Sequence, residues 1–331
     1  MPVSKTSAAR KQPAQTNTAV PSPKSLRHNL LVDFLVAALI AVPFGVNLLG
    51  TAAINPANVS WLQGDPAGTY IATSMFRQNT RLYWPLSFTP NLGYPLGETV
   101  AIVDANPVLA ILFWPFSGIL PKDFQYFGVY ALLSLVLQAF VAMLLIRSFI
   151  GDKKRIAVVL GAALFLLSPP MILRSSGHFS LASHWLILLG LLFYRLCIMG
   201  LPFRPRLIYA VALCSLAASL NPYMLAMTLG LVFAALVADA LRLRSIVPGA
   251  IVLGSSLAAA FPCLYSIGFV MGSAGDYVGQ GYRLFSLDVL SPIASIWGSL
   301  VFKEFPVLGI EGYNYLGLGV MVLWVAFYPA A

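Results

Sequence analysis

Nine apolar runs of 15 or more residues follow one another along the chain, starting near residue 30. They cover approximately residues 30–50, 105–120, 124–149, 156–173, 180–200, 207–221, 223–240, 246–271 and 315–331. A helix of about 20 apolar residues crosses the hydrocarbon core of a bilayer and satisfies its own backbone hydrogen bonds. Charged residues make up 9% of the chain, whereas soluble domains carry about 25%. The sequence therefore predicts an all-α polytopic membrane helix bundle and excludes a soluble domain or a β-barrel.

The first 28 residues differ in composition from the rest of the chain. They are rich in Ser, Thr, Pro, Gln and Ala, lack apolar periodicity, and carry the basic residues Lys5, Arg10, Lys11, Lys24 and Arg27. This composition predicts a disordered basic tail over 1–28, followed by a transmembrane domain over 29–331. Most of the other basic residues lie at the ends of apolar runs. The formal net charge of +9 therefore reflects membrane orientation and indicates no nucleic-acid partner.

The orientation depends on whether the second run, 105–120, crosses the membrane. This run is short for a span and contains Pro115, which disfavours a continuous helix. If it does not cross, about eight transmembrane helices remain. The basic tail then shares one face with the basic connections at 153–155, 204–206 and 242–244. Because cytoplasmic segments are enriched in Lys and Arg, we expect a bacterial inner-membrane protein with a cytoplasmic N-terminus.

This topology places most of the acidic residues on the outer face, which comprises the loop 51–123, the corner 174–178 and the loop 272–314. Eight of the 11 acids fall in the two loops: Asp65, Glu98, Asp104, Asp123, Asp276, Asp288, Glu304 and Glu311. The other three, Asp33, Asp152 and Asp239, lie near the cytoplasmic boundary. Ion-coupled transporters place ionisable groups near the bilayer midplane. The distribution therefore disfavours a transporter and points to a site at the outer face.

The first outer loop contains the best candidate acid. In the segment WLQGDPAGTYIATSMF (61–76), Asp65 precedes Pro66, and apolar residues then recur at helical spacing. This pattern predicts an interfacial amphipathic helix with Asp65 as its N-cap and Pro66 at its first position. A capping carboxylate at the membrane surface is ionised and fixed in direction, which also suits a general base. Asp65 is thus a cap alone, or a cap that also serves catalysis.

Other polar residues of the outer face are weaker candidates. Asp104 precedes the second apolar run and is either a second functional acid or a helix cap. Arg174 and His178 follow a predicted span, where cations suit a lipid phosphate, although an interfacial histidine needs no function. Glu311 and Tyr313 belong to the last outer loop, where ordinary loop polarity and an aromatic belt are the alternative explanation.

The three cysteines give no metal or disulfide signal. Cys197, Cys214 and Cys263 all fall within apolar runs, where inert buried thiols are usual. His178 and His184 are six residues apart, so a helix would direct them to different sides. The sequence therefore predicts no metal site.

Several segments together resemble a known class of membrane proteins. They are GDPAGTYIATSMF (64–76), NLGYPLG (91–97), DANPVLAILFWPF (104–116), RSSGHFSLASHWLIL (174–188) and EGYNYLGLG (311–319). In order and spacing they resemble the GT-C class of membrane glycosyltransferases. More closely, they resemble its bacterial YfhO-like branch and a related family of uncharacterised multi-pass membrane proteins.

The resemblance implies transfer of a sugar from a polyprenyl-phosphate donor to a glycan, lipid or protein acceptor on the extracytoplasmic face. It implies that an acid in the first outer loop is catalytic, which corresponds to Asp65, with Asp104 as the second acid. Arg174 and His178 would contact the phosphate, and Glu311 and Tyr313 are added as substrate-binding candidates. Many members carry two adjacent acids in this loop, whereas Pro66 follows Asp65 here. A divalent cation is compatible with this chemistry, although no ligand spacing supports one.

Two further expectations accompany this interpretation. The alternative to an enzyme is a non-enzymatic multi-pass membrane protein that handles lipids or assists envelope assembly, which would not need Asp65. The last apolar run, 315–331, ends at the C-terminus without a polar flank, and we therefore expect a truncated member of a longer family.

Overall fold

The computed structural model describes residues 30–151, 154–270, 293 and 318–327. The described helices are α1 (Leu30–Leu49), α2 (Thr51–Ile54), α3 (Asp65–Arg77), α4 (Pro107–Phe113), α5 (Phe127–Ile150), α6 (Arg155–Leu166), α7 (Pro169–Gly177), α8 (Trp185–Ile198), α9 (Phe203–Leu220), α10 (Pro222–Leu243), α11 (Val247–Ile267) and α12 (Leu318–Phe327). Strands β1 (Phe88–Thr89) and β2 (Glu98–Thr99) form a short antiparallel ladder. Apart from this ladder the regular structure is helical, as predicted. The tail 1–28 lies outside the described residues.

The lengths of the helices define the membrane domain. Five of them, α1, α5, α9, α10 and α11, are long and apolar enough to cross a membrane, and the bent pair α6–α7 raises the number to six. The apolar helix α8 has 14 residues. A polytopic membrane bundle is therefore confirmed for the described residues, whereas the total of about eight spans stays a prediction.

Two predicted runs fold differently from simple spans. Helix α4 and the 3-10 turn after it cover only Pro107–Phe116, which at 1.5 Å per residue is too short to cross. This length fits the prediction that the run 105–120 does not cross. The run 156–173, predicted as one span, is broken into α6 and α7, whose axes differ by 52°. Pro169 and Pro170 lack the N–H groups that would continue α6, and they begin a new helix.

The bundle is held together by close pairing of neighbouring helices. The most extensive pairings join α9 with α11, α1 with α5, and α8 with α10. Small residues permit the close approach: Gly45 of α1 faces Leu132 and Leu135 of α5, and Gly190 of α8 faces Leu231 of α10. In a bilayer, where apolar lipid surrounds the protein, such close packing is a main source of helix association.

The two ends of the bundle differ in chemistry. At one end, which we call the basic end, Arg147 of α5 forms a buried ion pair with Asp33 of α1. At the same end, Arg206 of α9 forms a second buried ion pair with Asp239 of α10. Arg195 at the end of α8 connects the two regions by donating to the Ser148 carbonyl at 3.3 Å. Sequence reasoning placed both acids near one boundary but did not pair them.

The opposite end, which we call the loop end, carries the segment between α1 and α5. An aromatic cluster attaches this segment to the bundle: Phe127 of α5 stacks on Phe179 at 4.9 Å between ring centroids, and Trp61 meets Phe179 edge-on at 5.8 Å. Phe76 of α3 is fully buried in the same cluster. The first outer loop is therefore packed against the corner that follows α7.

Asp65 does not cap its helix, so that prediction is wrong. Helix α3 begins at Asp65 itself, the N-cap is Gly64, and no side chain caps the helix. Gly64 has φ of 59° and ψ of −131°, a backbone conformation that favours glycine because it lacks a Cβ atom. Asp65 consequently lies in the first turn, where its negative charge faces the positive end of the helix dipole. The predicted helix after it is confirmed.

Candidate functional site

The loop end brings together two of the predicted site residues. The Nδ1 atom of His178, just after α7, lies 3.3 Å from Oδ2 of Asp104, in the segment before α4. The His178 side chain is 30% exposed and the Asp104 side chain 19% exposed. The two residues are 74 positions apart, and the packing of the first loop against the α7–α8 corner makes them neighbours. The pair is thus partly shielded from solvent and still accessible.

Asp104 is fixed by a third residue on the same corner. Its Oδ1 atom accepts hydrogen bonds from the Ser180 backbone N–H, at 3.2 Å, and from the Ser180 hydroxyl. Helix α4 has Asn106 as its N-cap, with no side-chain cap bond, so Asp104 is not a cap. Because one carboxylate oxygen binds Ser180, the other, Oδ2, faces His178. Among the described residues this buried oxygen makes no well-formed hydrogen bond, so the pair is a close approach of two side chains.

Asn221 extends this arrangement to the start of α10. Its amide nitrogen donates to the Ser180 hydroxyl oxygen at 2.8 Å, and its amide oxygen accepts from the Tyr223 backbone N–H at 2.8 Å. The second bond caps α10. The site therefore draws on three segments distant in sequence, and a shift of α10 would be transmitted through Ser180 to Asp104.

Arg174 and His184 flank the pair on the same corner. Arg174 lies in the last turn of α7, and the backbone N–H of His178 donates to its carbonyl oxygen at 3.0 Å. Burial, assisted by the positive charge of Arg174, lowers the pKa of His184 to about 4. His184 is therefore neutral at physiological pH. The corner provides one permanent cation, one neutral histidine, and one histidine that faces a carboxylate.

Asp65 does not join the pair. It is exposed, and within the described ranges no hydrogen bond or ion pair involves it. It follows Trp61 by four residues, and Trp61 packs on Phe179, the residue between His178 and Ser180. Asp65 is thus an ionisable carboxylate on a segment anchored to the site. Glu311 and Tyr313, the other predicted substrate-binding residues, lie outside the described residues.

Arg77, at the end of α3, holds the first loop in place. Its guanidinium donates to the carbonyl oxygens of Pro121 at 3.1 Å and Phe124 at 3.4 Å. Burial lowers its pKa, and burial also raises the pKa of Tyr70, whose hydroxyl donates to Asp123 at 3.5 Å. These contacts give α3 a fixed position beside the site.

A buried polar cluster lies beneath the pair. The Tyr130 hydroxyl of α5 lies 2.5 Å from the Ser183 hydroxyl. The side chains of Ser134, Trp185 and Asn106 surround the same phenol, and among the described residues their polar atoms make no well-formed hydrogen bond. One phenol hydroxyl carries a single donor and cannot satisfy all of these groups. The cluster therefore has hydrogen-bonding capacity beyond what its own members use.

Sequence reasoning missed Ser180, Asn221 and this cluster, although two signals were present. Tyr130, Ser134 and Gln138 recur at four-residue spacing in an otherwise apolar span, which puts them on one helix face. The pair Asn-Pro occurs at 55–56, 106–107 and 221–222. The second and third copies begin a helix at the loop end.

Within the described residues, no cluster of three or more His, Cys, Asp or Glu side chains has an arrangement that could hold a metal ion. The Asp104–His178 pair by itself offers two ligands, fewer than the three required for such a cluster. The described side chains therefore give no support to a bound divalent cation.

Comparison with known proteins gives a family but no activity. A family model described as a domain of unknown function (DUF6311) matches residues 38–331. No curated protein matches the chain, and no solved structure matches it.

Proposed function

The chain belongs to the DUF6311 family, and we propose that it is a membrane glycosyltransferase that uses a polyprenyl-phosphate-linked sugar. The observation that carries the proposal is the Asp104–His178 pair, with 3.3 Å between Oδ2 and Nδ1, held by Ser180 at the loop end. It lies where helices long enough to cross a membrane meet a packed surface loop, and we take this junction to lie at the level of lipid headgroups. A lipid-linked donor and an acceptor can meet there at the outer face of a bacterial inner membrane.

The proposed reaction is a displacement at the anomeric carbon of the donor sugar. A bond forms between the acceptor oxygen and this carbon while the bond to the lipid phosphate oxygen breaks. The leaving phosphate takes the electron pair, and the acceptor proton passes to a protein base. Because lipid phosphate is a good leaving group, positioning and charge stabilisation contribute most, with a smaller contribution from base assistance.

The described side chains suit distinct roles in this reaction. Asp65 is exposed and ionisable, and it would accept the acceptor proton. Arg174 and His178 would bind the leaving phosphate through charge-assisted hydrogen bonds. Asp104 would act through His178, because its other oxygen is engaged by Ser180. This assignment makes Asp104 a positioning residue.

Transfer of radiolabelled sugar from polyprenyl-phosphate donors by the full chain in proteoliposomes tests the proposal. We expect Asp65→Asn and His178→Gln each to lower kcat by about 100-fold, the lower range for loss of acid–base or charge assistance. Asp104→Asn should mainly raise KM by loosening His178. Lys122→Gln is the control, since Lys122 is an exposed charged residue of the same loop and should leave both constants unchanged.

The same assay distinguishes the glycosyltransferase from the alternative, a non-enzymatic role in lipid handling or envelope assembly. Absence of transfer by the wild type with every polyprenyl-phosphate donor tested would favour that alternative. Transfer that survives unchanged in both His178→Gln and Asp104→Asn would remove the pair from the mechanism.

A further inference from the structure

A cavity of about 540 Å³ opens at the basic end of the bundle, far from the Asp104–His178 pair. It is formed by the turn between α8 and α9, the end of α10 and the start of α11. The residues that matter here are Leu201, Phe203, Arg206, Arg242, Val247 and Ile251. Asp239, which pairs with Arg206, is 17 residues from the start of α10, or about 26 Å along the axis. The cavity is therefore separate from the proposed reaction site.

The cavity combines one buried arginine with one on its rim. Arg206 is only 5% exposed. Its two terminal nitrogens donate to Asp239 and to the Leu201 carbonyl at 2.6 Å, but within the described residues its Nε atom is buried without a hydrogen-bond partner. The Arg242 side chain is 43% exposed and also pairs with Asp239. Two arginines thus share one carboxylate, so among the described residues one positive charge at the cavity has no acidic partner of its own.

The other half of the cavity is apolar. Phe203, Val247 and Ile251 line it and are 41%, 60% and 48% exposed. They belong to helices α9 and α11, both long and apolar enough to cross a membrane, and they lie in the first turns of these helices. That depth corresponds to the boundary between lipid headgroups and acyl chains. A ligand that fits must carry a negative group beside an apolar body.

From this combination we infer that the cavity binds the phosphate headgroup of an anionic membrane lipid. The phosphodiester lies against Arg206 and Arg242, while the glycerol and the first part of the acyl chains contact Phe203, Val247 and Ile251. Asp239 supplies one negative charge to the two arginines, and a lipid phosphate would neutralise the second positive charge through charge-assisted hydrogen bonds. Basic pockets between transmembrane helices bind anionic headgroups by this chemistry. The inference is independent of the proposed glycosyl transfer.

Lipid binding to the purified full chain in neutral detergent tests the inference. The probes are phosphatidylglycerol, phosphatidylcholine and inorganic phosphate, and the readout is lipid retained in native mass spectrometry together with the rise in melting temperature. We expect retention of phosphatidylglycerol in preference to phosphatidylcholine. Arg242→Gln should weaken phosphatidylglycerol binding about fivefold, as expected for one cation near the headgroup. Asp239 keeps Arg206 as its partner in this variant, which preserves the fold.

Two further variants make the result specific to the cavity. Arg244→Gln removes the same charge two residues away, at an exposed position that does not line the cavity, and should bind phosphatidylglycerol like the wild type. Ile251→Trp fills the apolar half without changing charge and should also weaken binding. Equal losses in Arg242→Gln and Arg244→Gln, undiminished binding in Ile251→Trp, or a shift with inorganic phosphate as large as that with the lipid would each overturn the inference.

Discussion

Two histidines on the corner after α7 have opposite environments. His178 is partly exposed and faces the carboxylate of Asp104, whereas His184 is largely buried and near the positive charge of Arg174. At neutral pH His184 is therefore uncharged. The difference arises from the fold, because in the sequence both are single histidines in the same polar stretch.

The buried histidine makes the stability of the protein dependent on pH. The pKa of His184 falls from 6.5 to about 4 on folding, so between these values the unfolded chain binds a proton that the folded chain does not. The contribution of neutral His184 to the free energy of unfolding is therefore fully present above pH 6.5 and is lost as the pH falls towards 4. At pH 5 the expected loss is on the order of 1–2 kcal/mol.

Thermal unfolding of wild type and His184→Gln in detergent, at pH 7 and pH 5, measures this contribution. We expect the melting temperature of the wild type to fall more than that of the variant between pH 7 and pH 5. Comparison at pH 7 removes the direct cost of the substitution. A variant with the same pH dependence as the wild type would show that His184 is protonated readily in the folded state.

The sequence predicted two residues of the candidate site, but it did not predict which side chains are in contact. Asp104 and His178 were both recognised as polar residues at the outer face, because charged groups are rare in such an apolar chain. Their pairing depends on Phe179, whose ring packs against Trp61 and Phe127. These contacts hold the corner after α7 against the first loop. Asn221 was not predicted, because its bond to Ser180 requires the packing of α10.

The apolar runs predicted the positions of the long helices well and those of the interrupted helices poorly. Helices α1, α5, α9, α10 and α11 each lie within or close to a predicted run. The run 180–200 begins as the corner that builds the site, and its helix starts only at Trp185. A hydropathy pattern does not distinguish an apolar corner from an apolar helix. In the sequence, the break between α6 and α7 is marked only by Pro169 and Pro170.

The contact between α2 and α5 holds the first loop to the bundle and depends on one glycine. A Cβ atom on Gly128 would lie 2.0 Å from the Ala53 carbonyl oxygen. Gln125 donates to the same oxygen at 2.8 Å, so the backbones cannot separate without breaking this bond. We expect Gly128→Ala to lower the free energy of unfolding by about 2 kcal/mol, a typical cost of overpacking.

The melting temperature in detergent measures the effect, and Gly230→Ala of α10 is the control. A Cβ atom on Gly230 meets nothing within 4 Å, so this variant should be as stable as the wild type or slightly more stable. If both variants melt like the wild type, the α2–α5 contact is looser than the structure indicates.

At the scale of the whole molecule, charge is segregated between the two ends. Among the described acids, Asp65, Glu98, Asp104 and Asp123 lie at the loop end, whereas Asp33 and Asp239 lie at the basic end, each in a buried ion pair. Both of these pairs join two long helices. The arginines at the basic end therefore link the helices of the bundle, and by the positive-inside rule we expect this end to face the cytoplasm.

This orientation predicts which end is reached from outside the cell. With Cys197, Cys214 and Cys263 replaced by alanine, Asp65→Cys and Lys154→Cys each provide a single exposed thiol. The 24 residues of α5 separate the two regions by about 36 Å. Because the basic end should face the cytoplasm, a membrane-impermeant maleimide should label position 65 in intact bacteria and position 154 only after lysis. Labelling of 154 but not 65 in intact cells would reverse the topology, and a donor bound at the outer face could not then reach the Asp104–His178 pair.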